Sequence, residues 1–425
     1  MRRFAFALAV LLLFAPMTAN AADGETVIGT DDENIVYMGR WEKDENGLMR
    51  GAFECGLVLR FTGTGIKLNG SASGMALIAV DGGEAKEKNL TKNGVLFSGL
   101  QDGEHTLELY AAAQRTFPTL GGFALDAGGK TLPSPAGKMI EFIGDSITEG
   151  YVAQADAKNN MINSYSNSYA FIVGRRLLKE YGMRFNTIAY GGIAIAERGE
   201  NDLGTDPLGM PERYFLNHEY MMKASSDEER AAAQRWDVSK YTPDFIVINL
   251  GTNDTFSKQD VIKTGTVSFL KELCASYEKA YIFVMTPFNN NNRTVLRQAV
   301  YEADDERVIL ITTKDWKIEA GSDWLHPAPD QHIRAAELLY ETLKPYIEAA
   351  DGQTETETET ETEPVTETET TETVTAKPET DGEQTKEQED GAEKKAFSFV
   401  PFIIAAVCAA AAAVTVVLII KKRKK

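Results

Sequence analysis

The chain predicts an α/β fold in which a three-layer α/β/α domain with a parallel sheet follows an all-β sandwich of the jelly-roll type. Three observations carry that expectation. Apolar runs rich in Ile and Val, from Met139 to Ile143, Phe245 to Leu250, Tyr281 to Met285 and Val308 to Ile311, are continuous rather than alternating, as in strands buried on both faces of a parallel sheet. Helical stretches alternate with these runs, the order of a layered α/β domain. Ahead of them, from about Glu25 to Gly129, short strands are broken by Gly63-Thr64-Gly65, Asp81-Gly82-Gly83, Lys92-Asn93-Gly94 and Asp102-Gly103, the punctuation of antiparallel strands in a sandwich.

Each segment has its own warrant. Met1 to Ala21 carries Arg2 and Arg3, an apolar run from Phe4 to Phe14 and the small-x-small Ala19-Asn20-Ala21, the form of a secretory signal peptide. In the β domain, residues 25–129, Cys55, Leu57, Leu59 and Phe61 alternate with Glu54, Gly56, Val58 and Arg60, and Leu107 and Leu109 alternate with Thr106 and Glu108. These strands are therefore expected to bury one face. Pro133 and Pro135 mark residues 130–138 as a linker, and the α/β domain is expected over 139–349. Within it, Ser168 to Tyr181 places Ala170, Val173, Leu177 and Tyr181 on one helical face and stops at Gly182. Phe185 to Ala189 reads as a further strand, and the polar insertion from Ala196 to Tyr241 is expected to shape a substrate cleft.

Beyond the folded body, residues 351–395 hold 16 acids against four bases and no aromatic residue. Such a segment cannot form a core and should extend as a disordered spacer. Phe397 to Ile420 is apolar apart from Ser398 and Thr415, and as a helix it would reach about 36 Å, enough to cross a bilayer. Lys421 to Lys425 is a basic cluster of the kind retained on the cytoplasmic side. The expected topology is a single-pass type I anchor, with the folded body on the extracellular face of the membrane.

The net charge of -19 owes about -12 to the spacer, and the acidic remainder argues against nucleic-acid binding, which wants a basic face. The three cysteines, Cys55, Cys274 and Cys408, fall in separate segments and imply no disulfide framework.

Three islands carry chemistry: Gly144-Asp145-Ser146-Ile147-Thr148, Gly251-Thr252-Asn253-Asp254 and Asp323-Trp324-Leu325-His326-Pro327. Ser146 and Asn253 each follow the end of an apolar strand, where open parallel sheets bind ligands. A serine hydroxyl needs a base within hydrogen-bond reach to act as a nucleophile. His326 is one of four histidines, and His105, His218 and His332 are less suitably placed. Asp323, three residues before it, can hold Nδ1–H and leave Nε2 to take the serine proton. Asn253 and the backbone N–H groups of Ser146 and Gly192, or of the adjacent Gly191, would receive the oxyanion. The blander readings are that Ser146 caps a helix, Asp323 caps the final helix, and Asn253 is a turn residue. Gly-x-Ser-x-Gly, His-Glu-x-x-His and Cys-x-x-Cys are absent, so other hydrolase and metal chemistries fit poorly.

With these islands the chain resembles the SGNH, or GDSL-like, hydrolase superfamily. A β domain ahead of them, together with Met210-Pro211-Glu212-Arg213-Tyr214, Trp236-Asp237 and Asn249 to Asp254, makes it most similar to carbohydrate esterase family 2, the two-domain acetyl-xylan esterase type. The resemblance implies a jelly roll followed by an α/β/α serine esterase that deacetylates xylan or glucomannan. It also implies Ser146 as nucleophile, His326 as base, Asp323 as its support, and Gly192 and Asn253 as oxyanion donors. The expected partners are an acetylated polysaccharide or oligosaccharide and, through the C-terminal helix, a membrane; no metal or organic cofactor is called for. The alternatives are a surface glycan-binding protein with a vestigial hydrolase domain, or an esterase for sialic acid, peptidoglycan or lipid acyl groups.

Overall fold

The computed structural model describes residues 24–112, 117–134, 137–158, 160–197, 208–217 and 235–360, with side chains through Asp351. The expected signal peptide, most of the spacer, the apolar segment 397–420 and the basic tail lie outside the described residues. Among the described residues, no helix is long and apolar enough to cross a membrane.

The N-terminal half is an antiparallel β domain. Its principal strands are β1 (Ile35–Lys43), β2 (Met49–Leu68), β3 (Met75–Val80) and β4 (Val95–Ala111). β2 pairs with β1 on one side and β4 on the other, and β4 also pairs with β3. The residues expected to face inward, Cys55, Leu57, Leu59, Phe61, Leu107 and Leu109, are all fully buried in one cluster with Trp41, Ile66 and Phe123.

The expected one-sided burial does not hold for the opposite face. Glu54, Val58 and Glu108 are buried as well. The reason is a second packing layer: Met38, Val58, Leu77 and Tyr110 join Phe142, Phe171 and Phe185 of the following domain in a common core. Glu108 accepts two hydrogen bonds from Arg175, from Nε and Nη2 at 2.8 Å each. The expected linker is likewise not a free connection. Thr131 and Leu132 pair with Phe61 and Arg60 of β2, and the described residues through Glu359 belong to one compact unit.

The second half supplies five parallel strands: β5 (Met139–Gly144), β6 (Arg184–Ala189), β7 (Phe245–Asn249), β8 (Tyr281–Met285) and β9 (Val308–Ile311). Their spatial order is β6-β5-β7-β8-β9. β5 is therefore flanked by β6 and β7, the point at which the winding reverses and where such sheets bind ligands. Helices cover the sheet: α1 (Ser146–Glu149), α2 (Tyr169–Tyr181), α3 (Met210–Tyr214), α4 (Gln259–Ser276), α5 (Arg293–Ala303) and α6 (Pro329–Thr360). α2 shows why the sequence folds locally as it does. The Ser168 hydroxyl caps it by accepting from Phe171 N–H, and Gly182 ends it in the left-handed region at φ +63°. The last helix runs to Thr360, so the first ten residues of the expected spacer, 351–360, are helical. They continue a helix already anchored by buried Leu339, Leu343 and Ile347, so no new nucleation is needed.

The described parts of the insertion after β6 combine exposed polar residues, among them Glu212, Asp237 and Lys240, with side chains that enter the core. Met210, Tyr214, Phe215 and Trp236 are buried, and Leu216 and Arg235 form an antiparallel bridge. They surround Arg40 of β1, which is fully buried. Its Nη1 donates to Leu216 O at 3.0 Å and its Nη2 to Tyr214 O at 2.6 Å, and its guanidinium lies 4.8 Å and 5.0 Å from the Tyr214 and Trp236 ring centres. Burial opposes the charge, but Tyr241, Tyr214 and Glu141 together outweigh it. Glu141 on β5 in turn accepts from Tyr214 OH at 2.5 Å, Asn186 Nδ2 at 2.9 Å and Tyr241 OH. One buried polar cluster thus joins the β domain, the insertion and the parallel sheet. Arg40→Ala strands Glu141 and two carbonyls away from water, and is expected to lower unfolding stability by about 3–5 kcal/mol in urea titration.

Candidate active site

The site begins with the register of the sheet. Gly144, the last residue of β5, pairs with Ala189 of β6 on one side and Asn249 of β7 on the other. All three strands end at one level, so the residues that follow them share one edge. Gly144 must be glycine here, because a Cβ would lie 2.0 Å from Thr148 Oγ1. That hydroxyl is 2.8 Å from Tyr169 OH, which also accepts from Asn249 Nδ2 at 3.3 Å.

The chain then turns into α1. Its N-cap is Asp145, whose Oδ1 accepts from Ile147 N–H at 3.0 Å. Ser146 is the first helical residue and not the cap. Asp145 is fully buried. Burial pushes its carboxyl up to about 7, with the Asp254 charge adding to the effect and the Ile147 N–H and Thr252 hydroxyl opposing it.

His326 Nε2 lies 2.8 Å from Ser146 Oγ, and His326 Nδ1 lies 2.6 Å from Asp323 Oδ2. The Asp323 Oδ1 accepts the backbone N–H of His326 at 2.9 Å and of Leu325 at 3.1 Å. Asp323 therefore does not cap the last helix, which begins at Pro329. Burial would raise its carboxyl, but the hydrogen bonds from His326 and from the two backbone groups hold it below the ordinary carboxylate range. The loop that carries the pair is tight. Gly321 N–H donates to His326 O at 2.6 Å, Ala320 bridges Pro327, and Trp324 takes φ +62°.

Ser146 and His326 are themselves nearly buried. The Tyr151 ring lies 4.7 Å from the imidazole at 44°, while Trp324 is 85% exposed beside it. The other histidines stand apart. His105 pairs with Asp81 in the β domain at 2.7 Å, and His218 lies outside the described residues. His332 is buried and accepts Tyr169 N–H at Nδ1, 3.3 Å away. Burial, with His326 nearby, pushes it down to about 4.

Gly192 follows the end of β6 and takes φ +80°, a conformation that favours glycine. Asn253 Nδ2 donates to Ile193 O at 2.8 Å, so the loops after β6 and β7 are joined at the sheet edge that also carries Ser146. Asp254 ties them further by accepting Ile195 N–H at 3.0 Å and Ala196 N–H at 2.9 Å. The sequence reading assigned no role to Asp254, Asp145 or Tyr151. A capping rule applied to Asp145 would have found the second of these; the other two depend on contacts between distant segments. Among the described residues, no group of His, Cys, Asp and Glu is placed to hold a metal ion. A cavity of about 680 Å³ lies elsewhere, between Arg60, Glu108 and Arg175. Its lining includes the Arg175–Glu108 and Arg176–Glu180 ion pairs and none of Ser146, Gly192, Asn253, Asp323 or His326, so the chemistry points to the open strand edge instead.

Comparison with known proteins agrees with this architecture. Residues 142–332 match the GDSL-like lipase/acylhydrolase family and residues 37–135 the N-terminal domain of carbohydrate esterase 2. The cellulase/esterase CelE of Acetivibrio thermocellus is 30% identical over 342 residues, which are 74% of this chain and 40% of CelE. The chain thus spans well under half of that relative. A family two carbohydrate esterase from Clostridium thermocellum, solved in complex with cellohexaose, is 26% identical with a TM-score of 0.59, over 74% of this chain and 99% of that one. An acetyl xylan esterase from Butyrivibrio proteoclasticus shares the fold at 20% identity and a TM-score of 0.59, over 76% and 98%.

The buried Asp145 yields a prediction whose sign follows from linkage. A carboxyl whose folded pKa of about 7 exceeds its unfolded 3.8 favours folding at low pH, and that contribution is lost as pH rises between about 4 and 7. Asp145→Asn, which keeps a capping oxygen and cannot ionise, should therefore melt above wild type at pH 8, by on the order of 4 kcal/mol. The gap should close by pH 4, as read by thermal denaturation across that range.

Proposed function

We propose that the chain, whose residues 142–332 match the GDSL-like lipase/acylhydrolase family and residues 37–135 the carbohydrate esterase 2 N-terminal domain, is a serine esterase that removes O-acetyl groups from carbohydrate. The observation that carries the reading is the unbroken hydrogen-bond chain Asp323–His326–Ser146 at the switch point of the parallel sheet. The likeness to CelE supports the carbohydrate class of the substrate. Exposed Trp324 and half-exposed Tyr151 beside His326 support it too, since they offer aromatic faces on which sugar C–H surfaces can stack.

In this mechanism His326 Nε2 takes the Ser146 proton while Oγ attacks the acetyl carbonyl carbon. Asp323 holds the Nδ1 proton and fixes the imidazole through both its ring and its backbone N–H. Negative charge that develops on the carbonyl oxygen is met by Asn253 and by backbone N–H groups of Ser146 and Gly192. The tetrahedral species collapses as His326 gives its proton to the sugar oxygen, leaving acetyl-Ser146. Water, deprotonated by His326, then attacks the acetyl carbon, and His326 returns that proton to Ser146 Oγ as the C–Oγ bond breaks and acetate is released. The same reading places the enzyme outside the cell, held to the membrane by the spacer and apolar segment. Its support is the sequence of those segments, and protease shaving of intact cells should release the folded body.

Ser146→Ala should fold normally by circular dichroism and lose about 10⁵–10⁶-fold in kcat on 4-nitrophenyl acetate and on acetylated xylo-oligosaccharides. Asp323→Asn should lose about 10³–10⁴-fold, because the imidazole is then held in the wrong tautomer. Activity near wild type in Ser146→Ala, followed as acetate release, would sink the assignment.

A further inference from the structure

The loop that carries Gly191 and Gly192 runs straight into Ile193 to Ala196, all of them buried, with Ile193 and Ile195 in the core. A Cβ built on Gly192 meets no atom within 4 Å, and the residue already lies in the left-handed region. Polar contacts hold the loop further. Ile193 N–H closes a turn onto Tyr190 O at 3.1 Å, Asn253 Nδ2 holds Ile193 O, and Met210 N–H donates to Ala194 O at 2.8 Å. Asp254, 1% exposed, grips the two successive N–H groups of Ile195 and Ala196, one with each carboxylate oxygen. Charge-assisted bonds of this kind, in a dry setting, are stronger than neutral ones.

We propose that Asp254 is a positioning residue of the reaction: its buried carboxylate, by gripping Ile195 and Ala196 N–H, holds the Gly192 loop in the orientation that presents its donor to the oxyanion. The inference rests on Gly192 and Asn253 being the oxyanion donors. Asp254 touches no reacting atom and acts through the loop. Its place next to Asn253 matters, since a single turn after β7 then sets both the side-chain donor and the clamp on the backbone donor.

The test uses the full chain with Asp254→Asn, Asp254→Ala and Ser146→Ala. Kinetics are measured on 4-nitrophenyl acetate, together with inhibition by phenylboronic acid, whose tetrahedral adduct on Ser146 places an oxygen where the oxyanion forms. Asn keeps one acceptor and should lower kcat about 10-fold; Ala keeps none and should lower it about 100-fold, approaching the loss of one oxyanion donor. KM should stay within about twofold, and the boronate inhibition constant should rise by the same factor as kcat falls. A merely structural role would lower the folded fraction while leaving the boronate constant of the surviving enzyme unchanged, and that outcome overturns the proposal. Should the Ala variant not fold, the near-isosteric Asn variant decides, and wild-type kcat and inhibition there overturn it. Asp254 variants with wild-type rates beside an inactive Ser146→Ala overturn the clamp alone. Retained activity in Ser146→Ala overturns the reading of the site and the clamp with it.

Discussion

Everything at the site depends on the parallel register that sets Gly144 between Ala189 and Asn249. Parallel hydrogen bonding lets three strands end at one level, and the next two to four residues of each then meet without any long-range search. Ser146, Gly192 and Asn253 owe their shared edge to that alignment. A slip of one residue in β5 would turn its side chains over and move Ser146 along the sheet, so the burial of Phe142 and Ile143 on opposite faces guards the chemistry as well as the core.

Two kinds of polar contact then refine what the register makes possible. Around Ser146 they are short and local: Asp145 caps the helix that Ser146 begins, Asp323 accepts from His326, and Asp254 joins the loops after β6 and β7. Further away, Arg40 and Glu141 span three segments through Tyr214 and Tyr241. Buried charges of this sort add little net stability and much specificity of arrangement, because any other docking of the β domain would leave them unpaired. The β domain is thereby built into the α/β domain instead of being carried on a flexible link. Glu54 and Glu108, outward-facing by strand alternation, are interior groups for the same reason.

Much of this was legible in the residues. Tyr281 to Met285 and Val308 to Ile311 are strands at the expected bounds, since strands buried on both faces leave a continuous apolar run. α2 starts after Ser168 and stops before Gly182, since capping and left-handed termination are local. Less legible was whatever depended on two surfaces meeting. Alternation in β2 was read as one wet face, yet Val58 packs against the next domain. The polar segment from Ala196 to Tyr241 was read only as shaping a cleft, and nothing local showed that its Tyr214 and Trp236 would lie against Arg40. The spacer's first residues were read from composition alone, without the helix that leads into them.

The sequence by itself determined the residue types of the chemistry, the strands that precede them and the pairing of Asp323 with His326, because each is encoded within a few neighbouring positions. Only the tertiary structure decided that Ser146 Oγ and His326 Nε2 lie 2.8 Å apart across 180 residues. Only it decided, too, that Asp254 reaches Ile195 and Ala196 and that Arg40 closes the β domain onto the sheet. Those contacts form between segments that local propensity cannot bring together. They arise when burying the apolar strands forces every polar group carried inside to find a partner.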